Sequence, residues 1–83
     1  MTPISDALDA GIRRFRIDID SSIPTGIRMS YADADVLRGE LPMIERLTFT
    51  PRFQGVEIHT DAAAEDGVAT IFTNGRSLEW RLW

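Results

Sequence analysis

Apolar residues at positions 4, 8, 12 and 15 recur at the spacing that gathers them on one side of an α-helix. Thr2 and Pro3 precede this stripe as an N-cap hydroxyl and a proline at the first helical position, where its missing N–H costs nothing. Asp6 and Asp9 fall near the positive end of the helix dipole, and Asp9 stands four residues before Arg13, the favourable order for an ion pair. The pattern predicts a helix over residues 3 to 12. From residue 14 the period shortens to two: Phe15, Ile17 and Ile19 alternate with Arg14, Arg16, Asp18 and Asp20, which predicts a half-buried strand with a charged outer face. Pro24 and Gly26 end that strand in a turn, and Ile27 and Met29 suggest a short return strand.

Ser30 with Asp33 three residues on resembles a capping box in which aspartate replaces glutamate. A second helix is expected over residues 31 to 38, with Ala34, Leu37 and Leu41 as its apolar stripe, Gly39 as a C-terminal cap and Pro42 as a stop. Beyond Pro42 the pattern is strand-like. Leu47 and Phe49 alternate with threonines, Val56 and Ile58 alternate with Glu57 and His59, and residues 51 to 55 between them read as a hairpin loop. Residues 61 to 67 form a polar connection.

Asn74-Gly75 is the strongest hairpin signal in the chain, since both residues tolerate the positive φ of a type I′ turn. If Thr73 and Arg76 flank it, Phe72 pairs with Ser77, Thr70 with Glu79 and Val68 with Arg81. Ala69, Ile71, Leu78, Trp80 and Leu82 then face the core. The opposite face carries Val68, Thr70, Phe72, Ser77, Glu79, Arg81 and Trp83.

These elements add up to one α+β domain over residues 1 to 83. Its two short helices are expected on one face of a mainly antiparallel four- to five-stranded sheet that ends in a C-terminal β-meander. A chain of 83 residues has room for one core. Composition narrows the chemistry: cysteine is absent, which removes thiol catalysis, disulfides and thiolate metal sites, and lysine is absent too, so no Schiff base can form on a side chain. Thirteen carboxylates against nine arginines give a net charge of −4, an unfavourable balance for binding nucleic acid. There is no apolar run long enough to span a bilayer, so no membrane partner is expected and a cytoplasmic setting is the default.

His59 is the only histidine, and on a strand it shares a face with Glu57 and with Asp61 beyond it. Carboxylate, imidazole and carboxylate in a row could hold a divalent cation or move a proton, but a solvated strand face opposite Val56 and Ile58 is the better account, because catalytic metal sites draw three ligands from more than one element. Asp61, Glu65 and Asp66 before Gly67 lack the alternating oxygens of a calcium loop. Of Arg13, Arg14 and Arg16, the only basic concentration, just Arg14 and Arg16 would share a strand face, beside Asp18 and Asp20. No catalytic residues, metal ligands or cofactors are assigned on these grounds.

The leading functional expectation is a non-catalytic protein-interaction module, self-associating as a homodimer or inhibiting another protein, with Val68, Phe72, Arg81 and Trp83 as the contact residues. The alternative is an acidic inhibitor of a nucleic-acid-binding protein acting by charge mimicry, of the kind carried by phages and mobile elements. That reading requires Asp6, Asp9, Asp33 and Asp35 to form one continuous surface. A small metal-dependent or acid/base enzyme using His59 comes third.

Overall fold

A computed structural model of the chain describes residues 3–41 and 52–83. Helix α1 spans Ile4–Asp18, strand β1 Gly26–Met29, helix α2 Tyr31–Glu40, and strands β2 to β5 Arg52–Phe53, Val56–Thr60, Val68–Thr73 and Arg76–Arg81. The expected class is the observed one: an α+β domain in which two helices pack on a five-stranded, mostly antiparallel sheet and β4 and β5 form a hairpin. Among the described residues no helix is long and apolar enough to cross a membrane.

Helix α1 continues for six residues beyond the expected end and absorbs most of the segment read as a strand. The reason lies in the stripe itself. Ile4, Leu8, Ile12 and Phe15 are buried and Ile19 packs against the core, so the helical period accounts for both of the outer members of the apparent alternation. Only Ile17 falls off that stripe, and it is 76% exposed. Charges support the extra turns through ion pairs at the i,i+4 spacing, Asp9 with Arg13 and Arg14 with Asp18. After the helix, Asp20 accepts a hydrogen bond from the Ser22 N–H at 2.9 Å. That bond, the Ser22 hydroxyl and the Arg76 guanidinium hold the Asp20 carboxyl below its ordinary value of 3.8.

Helix α2 begins as expected, with the Ser30 hydroxyl accepting from the Asp33 N–H at 3.1 Å. It ends two residues later than expected, and Gly39 lies within it instead of capping it. The residue that closes it is Leu41, whose N–H reaches the carbonyls of Leu37 and Arg38. Thr2, Pro42, Leu47 and Phe49, with the strand expected around the last two, lie outside the described residues.

The sheet order is β2-β3-β1-β4-β5, with β1 parallel to β3 and antiparallel to β4. The expected meander is therefore interrupted, because β1 stands between β3 and β4. Residues 61–67 make this possible: seven residues are more than a tight hairpin needs and enough to step across one strand, a distance of about 10 Å. They pass over the end of β1, where the Asp61 N–H donates to the Met29 carbonyl at 3.1 Å. The parallel neighbours β1 and β3 are joined through α2, the kind of crossover that parallel pairing requires.

Both turns differ in detail from the expectation. Gln54 and Gly55 have φ of 54° and 81°, so the two-residue turn with positive φ at both positions, the type I′ pattern, joins β2 to β3. At the second hairpin Gly75 has φ 73° while Asn74 is negative, the signs of a type II turn. The register set by that turn is nevertheless the expected one, from Thr73 opposite Arg76 to Val68 opposite Arg81.

Alternation now fixes the layers. Ile27, Met29, Val56, Ile58, Ala69 and Ile71 point to one face and meet Leu8, Ile12 and Phe15 of α1 and Ala34 and Leu37 of α2 in a single core. Trp80 lies on the rim of that core and donates its indole N–H to the Ala7 carbonyl at 2.8 Å. Both helices thus cover the same face.

Candidate interaction surface

The face turned away from the helices is built from alternate residues of four strands. One row across it runs Glu57, Gly26, Phe72, Ser77, and the next runs His59, Arg28, Thr70, Glu79. Val68 and Arg81 form the start of a third row. In the middle of the sheet Gly26 has no side chain, and the rings of Phe72 and His59 close over it from the two neighbouring strands. Their centroids lie 5.7 Å apart at a 45° tilt. An aromatic group folding over a glycine in this way covers backbone that would otherwise face water.

Around these rings the charges are arranged side by side. Glu57 lies 3.6 Å from Arg52 and 3.5 Å from Nε2 of His59, and Arg28 lies 3.7 Å from Asp61. All are solvent-exposed pairs, each worth no more than about 1 kcal/mol. Shallow depressions adjoin the pairs. One of about 350 Å³ is lined by Arg28, His59, Thr70, Phe72 and Ser77. Another, of about 530 Å³, includes Arg28, Val68, Thr70, Glu79 and Arg81.

The four expected contact residues are placed as follows. Val68 and Phe72 are half-buried on this face, Arg81 is exposed beside Val68, and Trp83 is 60% exposed with its indole resting on Gly67. Of the three residues considered for metal or acid/base chemistry, Glu57 and His59 meet, whereas Asp61 turns to Arg28 and accepts from the Ala63 N–H at 2.8 Å. Among the described residues no group of three or more metal-ligating side chains converges.

The four acids named for charge mimicry are not all at the surface. Asp6 and Asp35 are exposed, and Asp9 is engaged by Arg13 and by the Gln54 amide at 2.7 Å. Asp33 is 1% exposed, and its carboxylate accepts from the Gly67 N–H at 2.8 Å, tying α2 to the connection between β3 and β4. Arg28 and Gly26 are central to the open face; the sequence pattern reads Gly26 as part of a turn and assigns Arg28 no role, whereas Gly26 opens strand β1. A glycine inside a strand pattern, Gly26-Ile27-Arg28-Met29, is the signal that marks such a close approach. Comparison with known proteins finds no matching family model, no similar curated protein and no similar solved structure, so the functional reading rests on this geometry.

Proposed function

We propose that the protein is a non-catalytic interaction module that holds another protein against the open face of its sheet. The observation that carries this reading is the asymmetry of the sheet. One face is filled by both helices, while the other, as far as the described residues extend, presents half-buried Val68 and Phe72 among Arg28, Arg81 and exposed Trp83. Aromatic and arginine side chains are the types in which protein interfaces concentrate their binding energy. The non-catalytic part of the reading is supported by the pairing of the ionisable groups with one another, which leaves them as rim contacts around an apolar centre. A cytoplasmic setting belongs to the same reading.

The test is the double variant Phe72→Ser/Trp83→Ser. A partner captured from native lysate is identified by mass spectrometry and then titrated against the parent and the variant. Retained folding with binding weakened about tenfold or more, equivalent to about 1.4 kcal/mol or more, is the expected result. A folded double variant that binds the identified partner as tightly as the parent would remove the face from consideration.

A further inference from the structure

Strand β5 is one edge of the sheet, and among the described residues it has a neighbour, β4, on one side only. Which of its backbone groups face the free side follows from a single hydrogen bond. The Leu82 N–H donates to the Gly67 carbonyl at 2.8 Å, on the β4 side. Backbone groups alternate sides along an extended strand, so those of Trp80, Leu78 and Arg76 also point to β4, in keeping with Thr73 and Arg76 closing the two-residue turn. The N–H and C=O groups of Ser77, Glu79 and Arg81 therefore point outward in a line.

Unpaired edges of this length are templates for another strand, and charged side chains usually blunt them. Here the charges discriminate between ways of pairing. A second copy of β5 running antiparallel can satisfy the outward groups in a few registers only, because outward residues must face outward residues. Centring the two-fold axis on Glu79 sets that carboxylate against its own copy and Arg76 against Leu82. Centring it on Leu78 sets Arg76 against Trp80 and leaves Arg81 opposite the turn glycine, Gly75. Centring it on Trp80 sets Glu79 opposite Arg81 twice over, Leu78 opposite Leu82, Trp80 opposite Trp80 and Ser77 opposite Trp83. Opposite charges and apolar partners directly across a strand pair stabilise it, and like charges do the reverse. The Trp80-centred register also covers Leu78 and Trp80, the two partly buried members of the core that lie on this edge strand.

We propose that two copies of the chain pair antiparallel through β5 in the register centred on Trp80, with Glu79 of each copy facing Arg81 of the other. The sheets of the two copies become continuous. Edge pairing shares Arg81 and Trp83 with the open face but leaves Phe72 of β4 outside the seam, so Phe72→Ser separates it from the binding of a foreign partner to that face.

A charge exchange tests it. Glu79 and Arg81 are exposed, so neither substitution threatens the fold, which is checked by circular dichroism melts. In sedimentation equilibrium the parent should dimerise with rising concentration. Glu79→Arg and Arg81→Glu should each weaken the dimer by about tenfold or more, because both symmetry-related pairs turn from attractive to repulsive. The double variant E79R/R81E should recover the dimer, and an equimolar mixture of the two single variants should form a heterodimer. Amide exchange gives an independent readout: the Glu79 and Arg81 amides should slow as concentration rises, while those of Leu78 and Trp80, bonded to β4, stay protected throughout. A parent that remains monomeric up to near-millimolar concentration overturns the proposal, as does association that survives both single reversals. Phe72→Ser, on the open face and off the edge, should leave the dimer intact, and its loss in that variant would assign self-association to the face instead.

Discussion

Gly11 on α1 and Trp80 on β5 approach so closely that a β-carbon built on the glycine would stand 2.7 Å from Cδ1 of the indole. Cδ1 of Ile71 would lie 2.8 Å away on the same side. The indole has little freedom to retreat, because its N–H is bonded to the Ala7 carbonyl one turn earlier on the same helix. The contact fixes how deeply α1 sits on β4 and β5. Gly11→Ala gains helix propensity of about 1 kcal/mol, but overpacking at a close helix–sheet contact costs about 1 to 3 kcal/mol. A net loss is expected in urea denaturation, accompanied in a Trp83→Phe background by a shift of the Trp80 fluorescence maximum. A variant more stable than the parent would show that the helix can lift at no cost.

At Gly26 a similar clash has a different consequence. A β-carbon there would lie 2.6 Å from Cζ of Phe72 and 2.8 Å from Cδ2 of His59, but both are ring edges on the open face. The rings can swing outward into solvent. Gly26→Ala should therefore cost about 1 kcal/mol or less, a smaller loss than at Gly11, while separating the two rings. The His59 ring protons, shifted by the Phe72 ring current in the parent, should move toward their random-coil positions in NMR spectra. Unchanged His59 shifts would contradict the packing of the pair over this glycine.

The turn at Asn74-Gly75 separates two turn types by one substitution. With negative φ at Asn74 and φ 73° at Gly75, the first turn position accepts proline and the second requires glycine. Asn74→Pro should be neutral or stabilising by up to about 1 kcal/mol, through the unfolded chain. Gly75→Val should lose more than about 1 kcal/mol. Thermal denaturation of the two variants decides the matter, since a type I′ turn would make the proline variant the worse of the pair.

The hairpin also shows what was legible in the chain. Its register follows from a local signal, two turn residues between alternating runs, and every pair from Thr73 with Arg76 to Val68 with Arg81 was readable. The position of β1 was not, because nothing near residues 26 to 29 records that residues 56 to 60 and 68 to 73 will flank them. The open face of the sheet was legible by half for the same reason: Val68 and Phe72 come from the hairpin, while Arg28 and Gly26 come from the inserted strand. The far end of α1 reads as a strand because Phe15, Ile17 and Ile19 satisfy a two-residue period while only Phe15 and Ile19 also fall on the helical one, and the burial of residues 15 and 19 against solvent-exposed Ile17 decides between them.

Asp33, the third residue of the expected capping motif, would have to be at the surface for charge mimicry, but it is 1% exposed and tied to the connection of residues 61–67. Its carboxylate satisfies the Gly67 N–H, and Gly67 itself is buried with φ 84° under the Trp83 indole. Removing the acceptor leaves a buried donor without a partner, a loss of about 1 to 3 kcal/mol. Asp33→Ala should therefore destabilise the domain by that amount, and Ser30→Ala, which removes the cap of α2, by about 1 kcal/mol. Equal midpoints for parent and Asp33→Ala in chemical denaturation would mean that the loop does not need this tie.

Glu40 supplies to α1 what its own sequence does not. The N-cap residue is Pro3, with no side-chain cap, and the amides that open the first turn are met from another element. The Glu40 carboxylate, at the last residue of α2, accepts from the Ile4 N–H at 3.1 Å and from the Ser5 N–H at 2.8 Å, one oxygen for each. A negative charge is unfavourable at the end of its own helix and favourable at the start of another, so this placement makes sense only as a contact between the two helices. Glu40→Ala should lose about 1 to 2 kcal/mol, the range for removing a side-chain cap. Glu40→Gln keeps one acceptor and loses the charge, and should fall between alanine and the parent. Amide exchange should place the loss locally, with the Ile4 and Ser5 amides exchanging faster in the alanine variant while the centre of α1 is unchanged. If the alanine and glutamine variants both match the parent in stability and exchange, solvent serves these amides as well as Glu40 does, and the two helices are held together by their apolar faces alone.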